Sequence, residues 1–336
     1  MRIALPLLAA LLAPVPAAGQ GLVTEEFMVP AADPGVQLYV RNKRLPNVAG
    51  FTAENVLLFV HGATYPSETS FDLQLDGISW MDYIASRGYD VYLVNVRGYG
   101  RSTRPAEMNQ PAERSQPLVR TDTAARDYGA AADFVRKRRN IAKLSVMGWS
   151  WGTSIAATYA SQNNDKVNRL VLYAPQWFRD KRPVDSEVLG AYRVVTVDAA
   201  LKRMAVGIPA GKKPMPDAWA QAWADATFAS DPAGAGANPR FLRAPNGVVL
   251  DGREYWAAGK PLYDPAAIRV PTLLVVAEWD ADTPVHMAQA LFPKLENARP
   301  KRLVIIGEGT HSVLMETNRM QLFREVQMFL DERGLH

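Results

Sequence analysis

The sequence predicts an α/β architecture, a mostly parallel central sheet flanked by helices, with an inserted and mainly helical lid. Three observations predict it. Short, wholly apolar runs such as Val56-Leu57-Leu58-Phe59-Val60 read as strands buried on both faces. Amphipathic stretches separate those runs, and parallel strands need such crossovers. Lastly, the alternation stops after Tyr173 and resumes only at Thr272, a gap far beyond the usual connection of about 4–6 residues.

Each element follows in order. Glu25 to Val29 and Val36 to Arg41 form a hairpin joined by the turn residues Asp33-Pro34-Gly35. After the strand from Val56, a helix near Ile78 to Arg87 ends at Gly88, and a strand runs from Asp90 to Val96 into the turn Arg97-Gly98-Tyr99-Gly100. Asp122 or Thr123 is placed to cap a helix reaching Arg139. Strand Leu144 to Met147, a helix after Ser150 and strand Leu170 to Tyr173 complete the first half. The inserted stretch holds Trp177, Trp219, Trp223 and Trp256 and a turn-rich run from Asp231 to Pro239. Strand Thr272 to Ala277, a helix near Val285 to Leu295, strand Leu303 to Ile306 and a helix to about Leu330 close the chain. The expected division is 1–19 signal peptide, 20–174 first part of the core, 175–270 lid and 271–336 second part of the core. No internal repeat is present.

Composition narrows the function. The apolar and charged fractions, 48% and 21%, are those of an ordinary globular protein. With no cysteine the chain has no disulfide, thiolate metal site or thiol nucleophile. The net charge of +4 comes from scattered residues, and the densest cluster, Arg136-Lys137-Arg138-Arg139, sits at a helix end where cations favour the dipole. A nucleic-acid partner is therefore not expected, nor are a cofactor and a metal. Arg2, the apolar stretch Ile3 to Leu12 and Ala17-Ala18-Gly19 form a cleavable signal pattern. The stretch is short of the about 20 residues needed to span a bilayer. The expectation is a periplasmic or secreted protein without stable membrane insertion after cleavage; its oligomeric state is left open.

Gly148-Trp149-Ser150-Trp151-Gly152 stands between a strand and an Ala-rich helix. A serine hydroxyl needs sharp presentation and a neighbouring base to act as a nucleophile. A strand-to-helix turn presents it, and the helix N-terminus aims free amides at a developing oxyanion. His61-Gly62-Ala63 after a buried strand and Asn95-Val96-Arg97-Gly98-Tyr99-Gly100-Arg101-Ser102 accompany this motif in order. Together they resemble the α/β-hydrolase superfamily over roughly Val36 to Leu330. The second turn departs from the family pattern, with Asn95 where aspartate is usual. That position supports a turn, so little functional consequence is expected.

The resemblance implies a Ser-His-Asp triad. His311, after a late strand and Gly307-Glu308-Gly309-Thr310, matches the family base; His61 is the alternative, although it resembles the histidine that shapes the oxyanion loop. His286 and His336 read as surface positions. For the acid, the family spacing from the strand-ending Ala277 and to Pro284 selects Asp280. Asp282 is the competitor, with an N-cap as its ordinary role, and Glu278 lies too close to the strand end. By the same match the backbone amides of Ala63 and Trp151 form the oxyanion hole.

Trp149 and Trp151 flank the nucleophile, and their bulk argues for an apolar pocket. Trp219 and Trp223, four apart, share a helical face, either as a substrate wall or as the lid's own core. Trp149, Trp177, Trp219 and Trp223 are the candidate substrate-binding residues, whereas Arg179, Arg182, Lys212 and Lys213 read as solvated cations. The leading expectation is a serine hydrolase that cleaves a small apolar or aromatic carboxylic ester through an acyl-serine. One rival resembles the proline iminopeptidases, which share the G-x-S-W-G elbow and would need Asp185, Glu187, Asp198, Asp217 or Asp225 to bind an amine. A lactone or carbon–carbon bond hydrolase would use the same triad, and a non-catalytic binding protein on the same scaffold is the remaining alternative. A histidine base of ordinary pKa predicts activity falling below about pH 6.

Overall fold

The computed structural model describes residues 21–48, 50–178 and 188–334. The signal pattern and residues Arg179, Arg182, Asp185, Glu187 and His336 lie outside them. The expected hairpin forms from β1 (Val23–Pro30) and β2 (Gln37–Arg44), paired antiparallel from Val23↔Arg44 to Pro30↔Gln37. Next come β3 (Val56–Val60), α1 (Ser67–Phe71), α2 (Trp80–Ala85) and β4 (Asp90–Val94), then α3 (Thr121–Arg139), β5 (Leu144–Trp149), α4 (Trp151–Gln162) and β6 (Val167–Tyr173). After a long excursion, β9 (Thr272–Ala277), α8 (Val285–Leu291), β10 (Lys301–Ile306) and α9 (Arg319–Asp331) end the chain.

Eight strands form one sheet in the order β1-β2-β4-β3-β5-β6-β9-β10. All neighbours from β4 to β10 pair parallel, and only β2, antiparallel to both β1 and β4, runs against the rest. Every residue of β3, β4, β5, β6 and β9 is buried. That is why the segments read as apolar runs, broken near their starts by Asp90, Ser145 and Asn168-Arg169, and not as alternating ones. β3, β5, β6 and β9 are adjacent, so their carboxyl ends bring residues 61–63, 150, 174 and 278–280 to one rim.

The start of α3 corrects a sequence expectation. Neither Asp122 nor Thr123 caps it. Asp251, far along the chain, accepts both the amide and the hydroxyl of Thr121 at 2.7 Å. A carboxylate at a helix N-terminus satisfies an orphan amide and opposes the dipole. At the other end, Arg136, Arg138 and Arg139 pair with Asp133, Glu25 and Asp90. The basic cluster is thus largely spent on the fold.

Between β6 and β9 the described residues hold β7 (Tyr192–Thr196), α5 (Val197–Met204), α6 (Asp217–Phe228), β8 (Phe241–Pro245) and α7 (Gly247–Asp251), followed by a π-turn, Gly252–Trp256. β7 and β8 pair antiparallel as a separate ribbon, an element that helical periodicity did not foretell. The segment seats on the core through Gly207, where an added Cβ would lie 2.1 Å from the carbonyl oxygen of Trp279.

Candidate active site

Ser150 occupies the turn between β5 and α4 with φ 57° and ψ −122°. A non-glycine residue in that region is strained and persists only where its surroundings fix it. Two glycines allow the surroundings to close. A Cβ on Gly148 would lie 2.0 Å from the Gly152 carbonyl oxygen, and one on Gly152 would lie 2.5 Å from that of Val60. The turn is therefore clamped against the end of β3, and the buried serine faces out of the sheet rim.

The loop after β3 stands directly over it. A Cβ on Gly62 would come within 3.1 Å of the Ser150 Cβ. Among the described residues, neither the Ala63 amide nor the Trp151 amide has a hydrogen-bond acceptor in the protein. Unpaired amides beside a nucleophile are the donors that an oxyanion requires. His61 shapes this loop. Its Nε2 accepts from the Val96 amide at 3.2 Å, so its Nδ1 carries the proton and donates to the Gly62 carbonyl at 2.8 Å. Burial holds the ring neutral, with its pKa lowered to about 4. Both nitrogens are engaged, which leaves His61 no lone pair for a serine proton.

His311 follows β10 and lines the same cavity as Ser150. Its Nδ1 lies 2.8 Å from Asp280 Oδ2. The other Asp280 oxygen accepts the amides of Asp282 and Thr283 at 2.9 and 2.8 Å, and the Thr283 hydroxyl donates to Oδ2. Burial lowers the affinity of His311 for a proton, but the charge of Asp280 and its hydrogen bond outweigh this and raise the pKa above the ordinary histidine value. Asp282 instead pairs with Arg203 at 2.8 Å on the cavity rim. Glu278 is exposed and accepts the Glu308 amide, and His286 is exposed on α8.

The cavity measures about 60 Å³. Ala63, Tyr65, Trp149, Met204 and Val206 supply much of its wall. Trp149 is a fixed wall: its indole donates to the His311 carbonyl at 3.1 Å and stacks on Tyr173. The other candidate tryptophans are not brought to this cavity. Trp177 is buried between Phe178 and Tyr263, Trp223 packs edge-on behind Tyr65, and the Arg319 guanidinium covers Trp219. The four-residue spacing did put Trp223 inward, but against a core loop as well as its own segment. Lys212 and Lys213 pair with Glu308 and Asp217 at the surface. Sequence reasoning missed Arg193 of β7, which donates to the Ala63 carbonyl at 2.7 Å and to the Thr64 hydroxyl at 2.8 Å. A lone arginine in a strand carries no signal for such a partner. Among the described residues no cluster of histidine, aspartate or glutamate is arranged to hold a metal ion.

The profile of the alpha/beta hydrolase fold family matches residues 55–317. Among solved structures, a serine hydrolase of carbazole degradation is 17% identical, with 92% of this chain and 99% of that one covered and a TM-score of 0.61. An esterase from Exiguobacterium antarcticum is 18% identical over 91% and 99%, with a TM-score of 0.59. The meta-cleavage product hydrolase of Pseudomonas fluorescens is 15% identical over 92% and 98%, with a TM-score of 0.60. At these identities the likeness is one of fold. No curated protein matches the chain by sequence.

Proposed function

The chain belongs to the α/β-hydrolase family and is a hydrolase, and from that premise we propose that it cleaves a carboxylic ester through an acyl-serine at Ser150. The observation that carries the reading is the 2.8 Å Asp280–His311 contact beside the cavity into which the strained Ser150 turn opens. His311 takes the serine proton as Oγ attacks the carbonyl, then returns it to the departing alcohol. Water repeats the sequence to release the acid. Asp280 holds the ring with Nδ1 protonated and stabilises the imidazolium, and the free amides of Ala63 and Trp151 receive the oxyanion. The donors rest in place before reaction, so little reorganisation opposes the step.

The cavity limits the acyl group. About 10–15 Å³ of this measure holds one water-sized group, so about 60 Å³ suits a short acyl chain against Trp149 and Met204. An amine-binding site has less support. Asp198, Asp217 and Asp225 are exposed and do not line the cavity, and its one acid besides the triad, Asp282, already pairs with Arg203. We also read residues 1–19 as an export signal and residues 175–270 as a lid, which gives a periplasmic or secreted enzyme.

Incubation with a fluorophosphonate probe, followed by a panel of esters, lactones and aminoacyl anilides, tests the reading. Labelling of the wild type but not of Ser150→Ala, with turnover of short esters, is expected. A folded wild-type protein that resists labelling ends it. Fractionation and N-terminal sequencing of the mature chain test export, and an intact Met1 on the mature protein refutes cleavage.

A further inference from the structure

Arg193 is a half-buried cation without a counter-charge among the described residues. No carboxylate among them lies within ion-pair distance of it, and burial lowers its pKa. Burying a guanidinium is costly unless its donors are well used. Here they are divided. Nη1 donates to the Pro245 carbonyl at 2.8 Å, at the end of β8, and Nη2 donates to the Ala63 carbonyl and the Thr64 hydroxyl in the loop over Ser150. The Tyr99 hydroxyl donates to the same Ala63 oxygen at 2.8 Å, which fills both of its lone pairs. Tyr99 in turn packs on His61, 4.4 Å between ring centres.

The pattern has a physical consequence. Each peptide plane turns as one body. The Ala63 amide shares its plane with the Gly62 carbonyl, which His61 Nδ1 holds at 2.8 Å. Arg193 and Tyr99 hold the next plane through the Ala63 carbonyl. Both planes that meet at Cα of residue 63 are therefore pinned, and the amide keeps its direction. That amide is the one proposed to meet the oxyanion. A charge-assisted bond is about twice as strong as a neutral one, and it reaches the loop from a ribbon that lies outside the eight-stranded sheet.

We infer that Arg193 is a positioning residue for the oxyanion hole: through the Ala63 carbonyl and Thr64 it locks the loop, and so makes the β7–β8 ribbon part of the catalytic centre. The inference rests on the acyl-serine reading. It does not require Arg193 to touch substrate. Its effect therefore belongs to the transition state, where the oxyanion forms, and not to ground-state binding.

The test uses the full chain and two readouts: steady-state hydrolysis of p-nitrophenyl acetate and the rate of inactivation by paraoxon, whose phosphoryl oxygen needs the same donors. Arg193→Met is expected to lower kcat and the inactivation rate about ten- to hundred-fold, less than the loss of a donor outright, with KM and the acid limb of the pH profile unmoved. Arg193→Lys, which retains one cationic donor, recovers part of the loss. If Arg193→Met fails to fold, Tyr99→Phe, which removes the other donor to the same oxygen, carries the test. Its effect and that of Arg193→Lys must then be non-additive. A wild-type protein that paraoxon leaves untouched overturns the acyl-serine reading and this inference with it. A wild type that reacts, with variants of equal kcat, a loss confined to KM, or additive Tyr99 and Arg193 effects, overturns the role of Arg193 alone.

Discussion

Asp280 Oδ2 stands 2.8 Å from His311 Nδ1, while its other oxygen is held by the amides of Asp282 and Thr283. The carboxylate is fixed by backbone donors two and three residues on, so its orientation does not depend on the histidine. Asp280→Asn keeps the shape but offers an amide where the imidazole needs an acceptor, which favours the wrong ring tautomer. A loss of about ten-thousand-fold in kcat is expected. Asp282→Asn breaks only the rim pair with the exposed Arg203; exposed pairs contribute about 0–1 kcal/mol, so its kcat should stay within about five-fold. Ester turnover by the two purified variants separates them, and the reverse order of damage would move the acid to Asp282.

The same contact sets the pH profile. In the proposed reaction only neutral His311 accepts the serine proton, so activity is expected to rise with pH through the pKa of the group. Burial lowers that value, but the charge and hydrogen bond of Asp280 raise it further, so the acid limb of kcat/KM should centre above the ordinary value of about 6.5. This moves the limb upward from the value near pH 6 expected of an unperturbed histidine. Stability runs the other way. The folded chain binds the His311 proton more tightly than the unfolded chain does, so this contribution is complete below the unfolded pKa and fades as pH rises through the folded one. Rate profiles with and without Asp280→Asn check the sign, since the substitution should shift the limb down.

Asn95 replaces the aspartate usual in its motif, and a neighbour explains it. Its Nδ2 donates to Glu68 Oε2 at 2.7 Å, and its Oδ1 accepts the Ser67 amide at 2.7 Å. Burial raises the pKa of Glu68, partly offset by the bond from Asn95. Asn95→Asp would set a second carboxylate against the first, and losing a donor to a buried acid costs about 1–3 kcal/mol. A lowered Tm at neutral pH is expected, recovered in the double variant Asn95→Asp, Glu68→Gln, in which the amide lies on the other side. Thermal melts of the wild type and the two variants decide it; a double variant no more stable than Asn95→Asp refutes the pairing.

What the sequence made legible was local in cause. The buried strands announced themselves by apolar runs, and the turn at Ser150 by glycines that no side chain can replace. His311 and Asp280 were expected from the spacing of the family that the sequence resembles, and they stand 2.8 Å apart because each follows a strand of the same sheet, whose parallel order carries both to one rim. Polar side chains that reach across the fold were not legible. Asp251 on Thr121, Glu68 on Asn95 and Arg193 on the Ala63 carbonyl join residues with no periodic or spacing signature. The tryptophans misled for a related reason. Bulk announces burial, but whether the buried face meets a cavity or a neighbouring ring depends on the partner, as with Trp223 behind Tyr65.

The clamp on the nucleophile turn makes a stability prediction. An added methyl at Gly152 would meet the carbonyl oxygens of Val60 and His61 at 2.5 and 2.6 Å, both backbone atoms of the strand end that supports the oxyanion loop. Neither side can yield without parting β3 from α4. Gly152→Ala should therefore destabilise by about 1–3 kcal/mol, the ordinary cost of overpacking, and lower kcat in the fraction that folds. Gly62→Ala is milder in space, meeting the Ser150 Cβ at 3.1 Å. It should spare Tm while reducing kcat. Denaturation midpoints measured beside turnover distinguish the two, and equal effects on both quantities would show that the turn is not clamped as described.

The last prediction concerns acyl length. Trp149 is held by its indole bond to the His311 carbonyl and cannot swing away without disturbing that residue, so the cavity must be enlarged from its other wall. That wall is Met204, at the end of α5, together with the exposed Val206. Methionine is unbranched and adaptable, so it sets a soft limit and not a hard one. Acetyl to butyryl esters should be turned over best, with kcat/KM falling for longer chains, and Met204→Ala should shift the preference toward longer chains by opening space beside Ser150. Each further methylene accommodated is worth about 0.8 kcal/mol of burial, or roughly four-fold in kcat/KM. A p-nitrophenyl ester series from two to ten carbons, run on both proteins, reads the shift directly. If the unsubstituted protein prefers decanoate, the segment carrying Met204 must stand away from Ser150 during turnover, and the cavity described here does not govern the choice of substrate.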